Sequence, residues 1–111
     1  MSKFLVMYLA PSATMDEWMK KPQEERADAE KKMMEDWNAW MAAHKDLIKE
    51  TWAAGKTKKV TGDGVSDSRN DLMLYSIVEA EDHDAAAKAF EGHPHFGIPG
   101  ATIEVVAIRP M

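Results

Sequence analysis

The chain of 111 residues contains no cysteine. That removes disulfides, zinc–thiolate and iron–sulfur sites and thiol nucleophiles together. No apolar run approaches the roughly 20 residues that cross a bilayer. The opening Ser2-Lys3, then Phe4 to Ala10 and Pro11, lacks the small-residue cleavage pattern of a secretory signal. These absences suggest a reducing cytoplasm and no membrane partner. Positive charge is also short, 14 Lys and Arg against 19 Asp and Glu, so no basic face is expected to meet the phosphates of a nucleic acid. There is no Gly-x-Ser-x-Gly. Gly62-Asp63-Gly64 leads into polar residues instead of a helix, so it reads as a turn and not a phosphate loop. The acidic stretch Asp16 to Glu35 lacks calcium-loop spacing and reads as a solvated face.

What is present is the composition of one folded domain, 45% apolar and 30% charged. Nine methionines suit packing against irregular partners. Lys3 to Leu9 predicts a strand with apolar residues on both faces: Phe4, Val6 and Tyr8 on one, Leu5, Met7 and Leu9 on the other. Pro11 to Lys21 reads as a connection with one helical turn around Met15 to Lys20. Pro22 then starts a long helix, with Glu24 and Glu25 in its first turn and Lys45 and Lys49 near its end. Met33, Trp37, Trp40, Met41, His44 and Ile48 recur at steps of three and four along it.

Gly55 ends that pattern. Lys56 to Thr61 predicts a lysine-guarded edge strand, and Gly62 to Asp71 a turn and loop. Leu72 to Glu79 predicts a second two-faced apolar strand. Asp82 is placed to cap a short helix carrying Ala86, Ala89 and Phe90 inward and closed by Gly92. Thr102 to Ile108 predicts the last strand. The order is βαββαβ, a ferredoxin-like α+β fold: a four-stranded antiparallel sheet with two helices on one face. Two helices cover only one face, so the apolar residues opposite them call for a partner. A second copy is the expected one, and a homodimer burying about 1,500 Å² matches a standard interface.

Several stretches together resemble one family. Leu74-Tyr75-Ser76-Ile77-Val78-Glu79-Ala80-Glu81, Ala85-Ala86-Ala87, Gly92-His93-Pro94-His95-Phe96 and Ile103-Glu104-Val105 resemble the C-terminal half of YCII-related proteins of the DGPF type. Trp37-Asn38-Ala39-Trp40-Met41 and Thr61-Gly62-Asp63-Gly64-Val65 resemble that family's first helix and the turn before its third strand. The resemblance covers about residues 28 to 108. It implies a dimeric α+β barrel of ferredoxin-like subunits and no established activity. Some members carry a histidine–aspartate pair with the aspartate in an Asp-Pro-aromatic turn. Here that turn reads His93-Pro94-His95, and Met34, Asp36 and Trp37 stand where the family's histidine lies.

Candidate chemistry rests on the histidines. His93 and His95 bracket Pro94 and are the candidate catalytic pair, as proton acceptors or ligand contacts; the competing reading is a structural turn. A metal would need further ligands, and no carboxylate stands at a recognisable spacing, so neither metal nor cofactor is expected. His44 on the apolar helix face reads either as a buried histidine bonded to a carbonyl or as a pocket rim. With Tyr8, Trp37, Trp40 and Tyr75 it forms the candidate ligand-binding set, against the plainer reading of these aromatics as core. Two functions fit. One is a homodimeric binder of a small organic molecule, between helices and sheet, with cofactor-free acid–base chemistry on a histidine. The other is a non-catalytic accessory or regulatory module for a metabolite or partner protein. If His95 is the base, His95→Ala should abolish turnover and leave folding intact.

Overall fold

The computed structural model describes residues 1–111. Strand β1 (Ser2–Leu9) alternates strictly, as its sequence demands: Phe4, Val6 and Tyr8 are buried, while Leu5, Met7 and Leu9 on the other face are half-buried. Helix α1 (Ser12–Lys20) is nine residues long, more than the single turn expected. Helix α2 (Gln23–Ala43) begins after Pro22, which occupies the N-cap and not the first helical position. Strand β2 (Ile48–Ala53) follows. A hairpin of β3 (Thr57–Thr61) and β4 (Gly64–Ser68) precedes β5 (Leu72–Ala80). Helix α3 (His83–Lys88), a 3₁₀ turn (Pro94–Gly97) and β6 (Thr102–Ala107) complete the chain.

The main sheet is antiparallel with the order β2-β5-β1-β6. The two most apolar strands therefore lie in the centre, and the chain is an α+β, ferredoxin-like arrangement. The Asp82 carboxylate caps α3 by accepting from the Ala85 N–H at 2.7 Å, and Gly92 takes the positive φ of 72° that turns the chain after α3.

Two expectations about the middle of the chain are corrected. The long helix stops at Ala43, with His44 leaving helical geometry (φ −118°, ψ 20°). Ile48 consequently belongs to β2, where Ile48, Thr51 and Trp52 suit a strand better than a helix end. The edge of the sheet is β2, not Lys56 to Thr61. The lysine-rich segment instead pairs with Gly64–Ser68, a stretch expected to be loop, in a hairpin separate from the sheet. Its two-residue Gly62-Asp63 connection between Thr61 and Gly64 is a hairpin signal that a loop reading passes over.

On the helix side lie Phe4, Val6, Tyr8, Val78, Ala80, Ala86 and Phe90, with Trp37, Trp40, Ile103 and Val105 packed around them. On the opposite side the register lines up Ile77, Leu5 and Val106 across three strands, and beside them Trp52, Tyr75 and Met7. Glu50, Glu79, Glu104 and Lys3 share that face. Nothing in the chain covers this apolar band, and Trp52 is 60% exposed.

Only 11 of 111 residues are buried. The accessible surface is 8010 Å², where a compact protein of 12.5 kDa exposes about 6,200 Å². The radius of gyration is 15.8 Å, against about 13 Å for this length. The single chain is flat and open. No helix is long and apolar enough to cross a membrane.

Candidate functional site

The helix side of the sheet gathers three imidazoles and four larger aromatic rings at the end of β1. Tyr8 comes from β1, Trp37 and Trp40 from one face of α2, His44 from the end of α2, Phe90 from just past α3, and His93 and His95 from the 3₁₀ turn. His93 is the centre. Its ring lies 4.4 Å from Trp37, 4.4 Å from Trp40, 5.4 Å from Tyr8 and 5.9 Å from Phe90, centroid to centroid. His44 stacks on Trp40 at 4.0 Å and 15°. Of the candidate residues, Tyr8, Trp37, Trp40, His44, His93 and His95 are thus brought together. Tyr75 is not: strand alternation puts it on the uncovered face, beside Met7 and Trp52.

Backbone partners fix which nitrogen of each imidazole carries the proton. The His95 backbone N–H donates to His93 Nδ1 at 2.9 Å, so His93 Nδ1 is an acceptor and its proton sits on Nε2. This bond caps the 3₁₀ turn. An aspartate carboxylate does the same at a helix start. His93 Nε2 is buried and has no hydrogen-bond partner. An unpaired buried donor costs on the order of 1–3 kcal/mol, and such groups cluster where a ligand or a reaction uses them.

His95 is committed differently. Its Nε2–H donates to the Leu9 carbonyl at 2.8 Å, and the side chain is 1% exposed. It ties the turn to the end of β1. His44 donates from Nδ1 to the Trp40 carbonyl at 2.8 Å, the carbonyl-bonded arrangement expected for a histidine on that helix face. In the neutral ring this leaves the lone pair on His44 Nε2. The three rings are therefore an unpaired donor (His93), a structural tie (His95) and an available acceptor (His44). No third His, Asp or Glu joins any two of them in a metal-holding group.

Two hydroxyls that are not among the candidate residues, Ser76 and Thr51, complete the site. Tyr8 OH lies 2.9 Å from Ser76 Oγ, which lies 2.7 Å from Thr51 Oγ1, a chain running β1–β5–β2. Ser76 was legible in principle as the one polar residue on the inward alternation of an apolar strand. Thr51 was hidden by the helix being read too far. Burial pushes the Tyr8 phenol up, partly opposed by its bond to Ser76, so it remains protonated and able to donate. Tyr8→Phe is expected to cost about 1 kcal/mol, a small change because Thr51 still satisfies Ser76; urea denaturation measures it.

Burial, with a smaller push from His95 and His44, lowers the His93 pKa from 6.5 to about 4. Burial also lowers His95, against the opposing bonds to the backbone of Leu9 and Thr102. Both are neutral at pH 7. In the unfolded chain both take a proton near pH 6.5, while the folded chain resists it. The stability that each contributes is thus complete above pH 6.5 and is lost as pH falls, for His93 down to about 4 at up to about 1.4 kcal/mol per pH unit. Urea midpoints at pH 7, 5.5 and 4.5 are expected to fall along this limb. In His93→Asn, whose amide oxygen keeps the cap, the limb should be shallower.

Two clefts open on the chain, and neither is lined by His44, His93 or His95. One, of about 640 Å³, opens between the base of the β3–β4 hairpin and α1. A smaller one, of about 220 Å³, runs between α3 and β6 past Phe90 and Phe96.

No family model and no curated protein sequence matches this chain. A solved structure does resemble it. It is the 5-chloro-2-hydroxyhydroquinone dehydrochlorinase TftG from Burkholderia phenoliruptrix AC1100, in complex with 2,5-dihydroxybenzoquinone. The two are 15% identical over 94% of this chain and 91% of that one, with a TM-score of 0.47. At that distance the likeness says nothing of activity or ligand, and the fold assignment rests on this chain's own strand order.

Proposed function

We propose that this protein is a homodimer, built on the YCII-related pattern, that binds a small organic molecule bearing a carbonyl or phenolate oxygen between α2 and the sheet. The observation that carries the ligand reading is His93 Nε2–H, a neutral buried donor with no partner inside a ring of Trp37, Trp40 and Tyr8. Flat aromatic walls suit a planar ligand, and one unpaired donor suits one acceptor oxygen. The dimer reading is supported by the excess of accessible surface over that of a compact protein of this mass, about 1,800 Å², and by the apolar band on the uncovered sheet face. A second copy on that face would bury an area within the range of stable dimers.

If the ligand is turned over, the tautomers assign the roles. His93 would not be the base, because its one lone pair accepts from the His95 N–H of the 3₁₀ turn. It would instead polarise a carbonyl oxygen as a neutral donor. His44, whose Nε2 lone pair is free, would take the proton from the neighbouring carbon. Trp40 touches both rings. His95 would be a positioning residue.

Titration with 4-hydroxybenzoate, salicylaldehyde and cyclohexane-1,3-dione, read by indole fluorescence, tests the binding. At least one is expected to saturate, with affinity falling about tenfold or more in His93→Asn. Equal affinity in that variant would remove the donor reading. Proton transfer is expected as enzyme-dependent deuterium incorporation beside the carbonyl of a bound ketone, reduced about 10²- to 10⁴-fold in His44→Phe. Saturable binding with no such exchange would favour the alternative, a non-catalytic module that recognises a metabolite.

A further inference from the structure

We infer that the β3–β4 hairpin is an arm that closes on a second copy of this chain, an inference that rests on the dimer reading and goes beyond the sheet face. Every residue from Lys58 to Asp67 is exposed, on both faces of the hairpin. A two-stranded hairpin is marginal by itself in water, so a ten-residue blade with no buried side chain lacks most of what would hold it.

The blade is not uniformly polar. Val60 and Val65 are cross-strand partners on one face and are 74% and 68% exposed. On the same face, one pair further from the tip, Lys58 and Asp67 form an ion pair. The other face carries Lys59, Ser66 and Thr61. One face thus ends in an apolar contact with a charged neighbour, the layout of a small docking surface with a polar rim.

The base of the arm is fixed to the body. Ala54 N–H donates to the Met73 carbonyl at 2.9 Å, and Arg69 grips Asp16 of α1 with two bonds of 2.8 and 3.1 Å. A blade held at its root keeps its direction before it meets a partner, which lowers part of the cost of docking. At about 3.4 Å per residue the five-residue strands reach about 17 Å.

The occupant is a second copy because the same chain presents the uncovered apolar band and the surface excess that one isologous interface would remove. In a two-fold dimer each copy gives one arm and receives one. The cleft of about 640 Å³ at the root of the arm leaves room for the partner's side chains.

Sedimentation equilibrium of the full chain and of Val60→Asp/Val65→Asp tests this, with Lys59→Glu as a control on the polar face. The double variant is expected to raise the dimer dissociation constant at least tenfold and the control to leave it within a factor of about two. Hydrogen exchange at the hairpin amides is expected to slow as protein concentration rises through that constant. A dimer whose dissociation constant and hairpin exchange ignore the valine changes would overturn the arm and leave the sheet-face dimer standing. A chain monomeric at every concentration would overturn the dimer reading itself.

Discussion

Ile77→Lys is expected to convert the proposed dimer to a monomer. Ile77 lies on the central strand β5, directly beside Leu5 of β1, in the row that continues to Val106 of β6. A second sheet closing over this row would bury the lysine ammonium, with Glu50 across the strand pair as its neighbouring carboxylate. A buried charge costs several kcal/mol of desolvation, which a pair only partly repays. The dissociation constant should therefore rise by about 1,000-fold or more. The variant monomer should keep its fold, since residue 77 already meets water in the single chain. Sedimentation velocity reads the change, and near-ultraviolet circular dichroism checks the fold. Dimers persisting at micromolar concentration would mean that another surface holds the copies together.

His95→Ala is expected to be the most destabilising change in the candidate site. The side chain is 1% exposed and bonds the Leu9 carbonyl at 2.8 Å. Its removal takes a hydrogen bond from that carbonyl and leaves a cavity beneath Tyr8 and Trp37, whose rings lie 5.7 and 6.2 Å away. The sum is about 3–5 kcal/mol, a fall in melting temperature of at least about 12 °C for a domain of this size. His95→Gln, whose amide N–H can point at the same carbonyl, should recover part of it. This differs from what a catalytic base predicts, namely intact stability with lost turnover. A melting temperature unchanged in His95→Ala would return His95 to that role. His44→Phe, by contrast, should melt within a few degrees of the unchanged protein, because the aromatic stack on Trp40 survives.

The strands with apolar residues on both faces were legible because period-two alternation is a local property, and β1 and β5 display it without interruption. That Tyr8 and Tyr75 face opposite ways was not legible, because the register between β1 and β5, which sets Tyr75 beside Met7, is a long-range property. The end of α2 was not legible. Ile48 continues the helical spacing of Trp37, Trp40, Met41 and His44, and only pairing with β5, a long-range contact, draws it into a strand. That one displacement moved the edge strand, hid Thr51 and left the hairpin unrecognised. In the site, the cluster of histidines and tryptophans was visible as residue types. Their roles were not, because a tautomer is set by which backbone group lies opposite each nitrogen.

The central claim is that His93 stays neutral and presents an Nε2–H to the aromatic ring of the site. Nitrogen-15 NMR of the imidazole side chains in the folded protein tests it most directly, by reporting the protonation of each ring nitrogen against pH. The expected result is one ring that keeps its proton on Nε2 and a bare Nδ1 from pH 8 down to pH 5, gaining a second proton only near pH 4. A His93 that carries its proton on Nδ1, or becomes doubly protonated near pH 6.5, would contradict the account.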